Sequence, residues 1–288
     1  MNLYPLVYYQ EKIRPAQSVP FPYDDYGFLY GYGLFETVRI FHKKPILFEK
    51  HWERLESSAI ILGIELTVTQ DRVKEIVADL VEQNKIDDGA TLNIYVSPGD
   101  RPVGTHRVVM GRPMVLIILR PMTQTRANIG IHLGIRQESF QRIQIDQFKM
   151  LSYVKNILEK ALCDPYDDVI LYSDKKAILE TPTANVFFAR GNVLFTPKSQ
   201  YILPGVTRRY LLEKAEEFDV DICEQEILLS DLDEFQEVFL TSSLKGIVLV
   251  DTLEKYPHIK SRELTRALQQ AYNSSLGLPT LPETKKTV

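Results

Sequence analysis

A primary amine that adds to a carbonyl carbon is the first chemistry this chain offers, because lysine is the side chain that performs it. In FKMLSYVKNILEKAL, residues 148–162, two candidates stand close together, Lys149 and Lys155. Charged residues make up 25% of the chain, so a solvated surface lysine is the ordinary reading of each, and their types alone do not choose between them. The spacing of Leu151, Val154, Leu158 and Ala161 predicts a helix over 149–162 with these residues on one face. Lys149 then falls at or just before the first turn. A positive charge is unfavourable at that end of a helix, so the dipole does not account for its position.

Other side chains could serve such an amine with a charge or a pocket. Glu180 follows a hairpin read from DVILY (168–172), the turn SDKK (173–176) and residues 177–179. In ILPGVTR (202–208), glycine and threonine precede a helix read from about 207 to 217. Free N–H groups and a hydroxyl at the positive end of a helix suit an anion, though ordinary N-capping uses the same residues. Arg54 lies beside the apolar stripe Trp52, Leu55, Ala59 and Leu62 of a helix read over 49–62, where its stem can cover apolar surface.

These groups need elements to hold them. Residues 34–41, LFETVRIF, alternate as a strand, with Glu36 and Val38 on one face and Thr37 and Arg39 on the other. Lys43-Lys44-Pro45 reads as a hairpin turn after it. A helix over 70–84 and strands over 90–96 and 114–119 follow, the strands joined by a connection that opens SPGDRPVGTHR. Earlier, PFPYDDYGFLYGYG (20–33) carries glycines at 27, 31 and 33, which let backbone come close to something. Polar residues 120–126, with Pro121, mark a boundary. Beyond it come strands near 129–133 and 237–241, a pair of strands turning at 190–192, and a last helix over 261–274. The expected division is an N-terminal α+β domain over 1–119, a linker over 120–126, a larger domain over 127–276 and a frayed tail over 277–288.

Basic and acidic residues are nearly balanced, 34 against 38, and mixed along the chain, which argues against nucleic acid or a membrane surface as partner. Cys163 and Cys223 lack metal-site or disulfide spacing, so a reducing, cytoplasmic setting is expected. The first residues lack a basic stretch followed by a sustained apolar run, so no signal peptide is expected, and the apolar runs have strand length.

Six segments together resemble the class IV aminotransferases, the fold-type IV group of pyridoxal-phosphate enzymes that includes branched-chain and D-amino-acid aminotransferases and aminodeoxychorismate lyase. They are GYGLFETVRI (31–40), KHWERLESSAIILGI (50–64), FKMLSY (148–153), ILETPTANVFF (178–188), LFTP with ILPGVTRRYLLE (194–213) and EVFLTSSLKGIVLV (237–250), in family order. The resemblance implies an α+β fold of two α/β domains with pyridoxal 5'-phosphate in the cleft between them, a small-molecule amino substrate and a homodimer. It implies Lys149 as the Schiff-base lysine, ahead of Lys155, because Ser152-Tyr153 resembles the Asn-Tyr pair after the family lysine. It implies Glu180 at the pyridine nitrogen, Tyr153 near the ring hydroxyl, and Arg54, Val206, Thr207, Ser242 and Ser243 at the phosphate. Thr37 is implied as a catalytic residue, with Phe35, Arg39, Arg101 and His106 as candidates around the substrate.

Departures bear on the substrate. YVSP (95–98) and TSSLKG (241–246) stand where branched-chain enzymes show an Arg-Pro and a Gly-Thr-Ala turn, and Arg101 with His106 match the D-amino-acid pattern loosely. FETVR with Thr37 and FLTSSLKGIVLV are closest to the lyase. Conversion of aminodeoxychorismate to p-aminobenzoate and pyruvate is therefore the expected activity. The alternatives are transamination of D- or branched-chain amino acids with a 2-oxo acid, and cofactor binding without turnover.

Overall fold

Residues 3–100, 111–122 and 130–279 are described in the computed structural model. The chain divides into two units, Met1–Gln124 with Phe148–Tyr153, and Thr125–Gln147 with Val154–Val288. Among the described residues, no helix is long and apolar enough to cross a membrane.

The first unit contains β1 (Leu6–Tyr9), β2 (Lys12–Pro15), α1 (Tyr26–Tyr30), β3 (Leu34–Phe41), β4 (Lys44–Pro45), α2 (Phe48–Leu62), α3 (Gln70–Gln83), β5 (Ala90–Ser97) and β6 (Met114–Pro121). Its sheet runs β2-β1-β6-β5-β3-β4 with every pair antiparallel. Along β3, Leu34, Glu36, Val38 and Ile40 are buried while Phe35, Thr37, Arg39 and Phe41 are half-open, which is the expected alternation. The buried face, with Leu92, Ile94, Ile117 and Leu119, packs with Phe48, Trp52, Leu55 and Ala59 of α2 and Val73, Ile76, Val77 and Leu80 of α3. The hairpin turn falls one residue earlier than expected. His42 and Lys43 both take positive φ, as a two-residue turn of matching twist requires, and Lys44-Pro45 is already β4.

The expectation for residues 148–153 is corrected in two ways. They group with the first unit rather than with residues 127–276, and they are not helical: a single bridge at Met150 lies between bends at Phe148 and Leu151. Leu34 and Met150 form an antiparallel bridge, Phe35 N donates to Lys149 O at 2.9 Å, and Leu151 N donates to Gly33 O at 2.9 Å. The glycines of the 27–33 passage permit this approach. A Cβ at Gly33 would lie 2.6 Å from both Leu151 Cδ1 and Val96 O, and one at Gly31 2.8 Å from Ser152 Cβ.

The second unit holds β7 (Ile131–Gln137), α4 (Val154–Ala161), β8 (Asp168–Tyr172), β9 (Asn185–Arg190), β10 (Val193–Pro197), α5 (Val206–Glu213), β11 (Asp221–Gln225), β12 (Glu237–Ser242), β13 (Gly246–Leu253) and α6 (Glu263–Ser275). The sheet order is β11-β10-β9-β12-β13-β7-β8, with parallel pairs at β10–β11, β13–β7 and β7–β8. α4 inverts the expected stripe: Val154, Ile157 and Leu158 are exposed and Glu159 is buried. The inward turn of Glu159 follows from its partners, Arg136 on β7 and the Ser139 amide, which donates at 2.6 Å. α5 ends earlier than expected, and a separate short 3-10 turn covers Glu216–Phe218.

Glu237 of β12 closes the N-terminus of α6. It accepts from the amides of Arg262 (2.8 Å), Leu264 (3.2 Å) and Thr265 (3.0 Å) and from the Thr265 hydroxyl (2.6 Å). A carboxylate at that end also complements the helix dipole. Glu237→Ala is expected to cost about 2–3 kcal/mol, the sum of a lost cap and buried donors left unmet. Hydrogen exchange of the α6 amides should accelerate accordingly; unchanged protection would show that the helix start is held by other means.

Candidate functional site

Strand β3 separates two chemistries on its two faces. On the half-open face, the Lys149 amine lies 4.5 Å from the centre of the Phe35 ring and 5.6 Å from that of Tyr153. Phe35 meets Tyr153 edge-on at 5.4 Å and stacks near Tyr95 at 6.1 Å. Thr37 and Arg39 follow Phe35 along the same face, opposite Asn93 and Thr91 of β5. Phe35, Thr37, Arg39, Lys149 and Tyr153 are thus all in the first unit. Arg101 and His106 lie outside the described residues.

On the buried face, Glu36 is 1% exposed yet charged. Arg54 of α2 clasps it through Nε to Oε1 (2.8 Å) and Nη2 to Oε2 (2.7 Å), and His51 Nδ1 lies 2.7 Å from Oε2. Residues 51 and 54, three apart on a helix, share a face, which is how α2 brings both to one carboxylate. Burial would raise the Glu36 pKa, but the Arg54 guanidinium and His51 hold it well below the usual carboxylate range. Burial pushes His51 below its ordinary value, partly opposed by Glu36, while the charges of Arg54 and Lys149 add to the lowering. His51 is accordingly neutral, and since a carboxylate only accepts, its Nδ1–H donates to Glu36. Arg54 is expected from the sequence as an anion ligand; its bond to Glu36 is not. The strand alternation could have found it, since a glutamate in the buried register of β3 demands a cation from the covering helix.

In the second unit, the Glu180 carboxylate is 5% exposed. It accepts from Arg142 Nη1, from Asn185 Nδ2 at 2.8 Å and from the Leu203 amide at 3.2 Å. Burial works against the charge of Arg142, but the adjacent Glu180 outweighs it and raises its pKa. Asn185 Nδ2 also donates to Leu203 O at 2.9 Å. Thr207 stands in the first turn of α5, whose N-cap, Gly205, supplies no side-chain cap. Ser242 ends β12 and Ser243 begins the turn after it. Lys155, the competing amine, is engaged by Asp146 at 3.1 Å and by Gln141 O at 3.2 Å. Arg142, Asn185 and His51 are not picked out by sequence reasoning, because each acts on another side chain, even though Asn185 and His51 lie within the segments 178–188 and 50–64.

The branched-chain aminotransferase of the thermophilic archaeon Thermoproteus uzoniensis, solved with norvaline, is similar over 94% of this chain and 95% of its own, with TM-score 0.85 and 20% identity. The fold is thereby fold type IV. Residues 33–253 match the family model for amino-transferase class IV, and the chain belongs to that family of enzymes. Among relatives, it is 31% identical to an aminodeoxychorismate lyase of Bacillus subtilis (strain 168), over 88% of each chain. It is 29% identical to a putative branched-chain-amino-acid aminotransferase of Methanocaldococcus jannaschii, over 78% of this chain and 80% of that one.

The lowered pKa of Glu36 ties the stability of the first unit to pH. A depressed carboxylate contributes fully above its unfolded value of about 4.3 and loses that contribution as pH falls below it, at roughly 1.4 kcal/mol per pH unit. His51, also depressed, acts in the same direction below its unfolded value of about 6.5. Trp52, the single tryptophan, is buried in this core and reports its unfolding. Glu36→Gln should cost about 3–5 kcal/mol at pH 7 and flatten the acid limb of urea unfolding followed by Trp52 fluorescence. An acid limb as steep as in the unsubstituted protein would refute this account.

Proposed function

We propose that this enzyme converts aminodeoxychorismate to p-aminobenzoate and pyruvate with pyridoxal 5'-phosphate as cofactor. Buried hydroxyls support the cofactor. Thr207 Oγ1 and Thr241 Oγ1 have no hydrogen-bond partner among the described residues, a costly state that an oxygen-rich ligand relieves. Gly205 leaves the start of α5 bare, and a Cβ there would lie 1.9 Å from Asn185 Oδ1. Uncapped N–H groups with unmet hydroxyls suit a phosphate dianion, which supports Val206 and Thr207 as ligands and adds Thr241 to Ser242 and Ser243.

When bound, the cofactor supplies an aldehyde for exchange with a primary amine and a ring that spreads the electron pair left by proton removal. Lys149 would hold it through Nζ and then take the proton from the amine-bearing carbon of the substrate. Glu180, oriented by Arg142, Asn185 and the Leu203 amide, would accept a hydrogen bond from the protonated pyridine nitrogen. Tyr153 would lie at the ring hydroxyl. Arg54, fixed by Glu36, would add positive charge toward the phosphate.

The observation that carries the lyase over the aminotransferase is Thr37, a hydroxyl two positions along the half-open face of β3 from the Phe35 ring that lies beside Lys149. It stands in a chain similar to a lyase along most of its length. The deciding assay supplies aminodeoxychorismate without any 2-oxo acid and expects release of p-aminobenzoate. Glutamate formed only when amino acids and 2-oxoglutarate are supplied, with no p-aminobenzoate, would make it an aminotransferase. Borohydride reduction should link the cofactor to Lys149, and Lys149→Ala should abolish both the link and turnover; a link at Lys155 would reverse the assignment. Thr207→Val should weaken cofactor affinity about tenfold, the worth of one charge-assisted hydrogen bond, in a spectroscopic titration. Unchanged affinity would remove Thr207 from the phosphate site.

A further inference from the structure

A threonine hydroxyl can donate one hydrogen bond and accept two, and its own chemistry does not say which it does. Among the described residues, the partner of the Thr37 hydroxyl is Asn93, directly opposite on β5. Asn93 Nδ2 lies 3.0 Å from Thr37 Oγ1 and 3.4 Å from the carbonyl oxygen of Glu36. A carbonyl oxygen only accepts, so the end of the amide that faces it is the NH2 group. The flipped amide would set two oxygens against each other. The same NH2 group therefore donates to Thr37, occupies a lone pair of Oγ1 and leaves the hydroxyl proton to point away from Asn93. Asn93 is 7% exposed, with little room to turn, whereas Thr37 is half-open on the face that also carries Phe35 and Arg39.

We infer that Asn93 is a positioning residue that holds Thr37 as a hydrogen-bond donor toward an acceptor oxygen of the substrate. The inference rests on the lyase reading. In that reaction the bond from the ring carbon to the enolpyruvyl oxygen breaks, and the electron pair leaves with the oxygen. The proton removed from the amine-bearing carbon is balanced by the one the departing enolate gains at its methylene carbon to become pyruvate. Thr37 keeps its own proton throughout; its donor bond strengthens as charge builds on the departing oxygen, so the benefit lies in the transition state.

The test reverses the polarity at nearly constant size. In Asn93→Asp a carboxylate accepts the Thr37 proton and turns it from the substrate. We expect kcat for p-aminobenzoate release to fall about tenfold to a hundredfold with KM within about threefold, as when one aimed donor is lost. In a Thr37→Val background, the same substitution should cause no further loss. The visible spectrum and affinity of the bound cofactor should stay unchanged, which a merely structural disturbance would not allow. Full activity in Asn93→Asp, full activity in Thr37→Val, or an equal loss in both backgrounds overturns the inference. If Asn93→Asp does not fold, the similarly shaped Asn93→Leu completes the cycle; it frees the hydroxyl to rotate, and about a threefold to tenfold loss confined to the Thr37 background is expected. Absence of p-aminobenzoate from the unsubstituted protein overturns the lyase reading itself, and this inference with it.

Discussion

Two main-chain hydrogen bonds, from Leu151 to Gly33 and from Phe35 to Lys149, determine where the Lys149 amine stands. They fasten residues 149–151 along the start of β3 around an isolated bridge at Met150, so the lysine rises from a backbone fixed in register with the residue beside it. A lysine carries about 2 kcal/mol of rotamer entropy, and much of it must be given up before the amine is held at one point. Part of that cost is offset by the Phe35 and Tyr153 rings, whose faces attract a cation. The close approach exists only because Gly33 has no side chain between Val96 and Leu151.

The same strand also shows why a buried ion pair can be tolerated here. Replacing Glu36, Arg54 and His51 together by apolar residues of similar volume would leave the sheet about as stable or more so, since removing the charges from water offsets most of what their attraction contributes. Losing Glu36 alone, by contrast, strands the buried guanidinium. A bidentate contact, though, fixes the plane of a guanidinium in a way an apolar neighbour cannot. Glu36 thus constrains Arg54, while Arg54 and His51 keep Glu36 charged, and the fold carries a pH-dependent element in its core for the sake of orientation.

Legibility in the sequence follows the range of the interactions. The alternation of β3, the stripes of α2 and α3 and the strands over 90–97 and 114–121 depend on residues close in the chain, and their pattern is plain. The start of α4 reads wrongly because Leu151 has helical spacing to Val154 and Leu158, yet its amide bonds to Gly33, over a hundred positions away. Glu159 escapes notice as the buried member of α4 for the same reason: its partners, Arg136 and Ser139, sit in another element. Lys149 and Glu180 can be named as candidates because motif segments surround them. Asn93 and Arg142 lie in no such segment, and Asn185 and His51 lie inside two of them without being singled out, since what each does exists only once the fold sets another side chain beside it.

The supporting groups also divide by whether they titrate. Glu36 and His51 have pKa values lowered by their surroundings, so the arrangement they hold depends on the proton balance, whereas Arg142, raised by the adjacent Glu180, keeps its charge. The two asparagines do not titrate. Asn185 donates both amide hydrogens, to Glu180 and to Leu203 O, while its oxygen occupies the space beside Gly205. Asn93 turns its NH2 group to Thr37 and to the Glu36 carbonyl. Each amide has donors and acceptor at fixed ends, and each is locked against a flip by a carbonyl that can only accept. A carboxylate or imidazole in either place would meet the same distances in one protonation state and repel in another. An amide keeps one hydrogen-bond polarity across the whole pH range in which the protein is folded, and that constancy is what a hydroxyl such as Thr37 needs if its proton is to face one way.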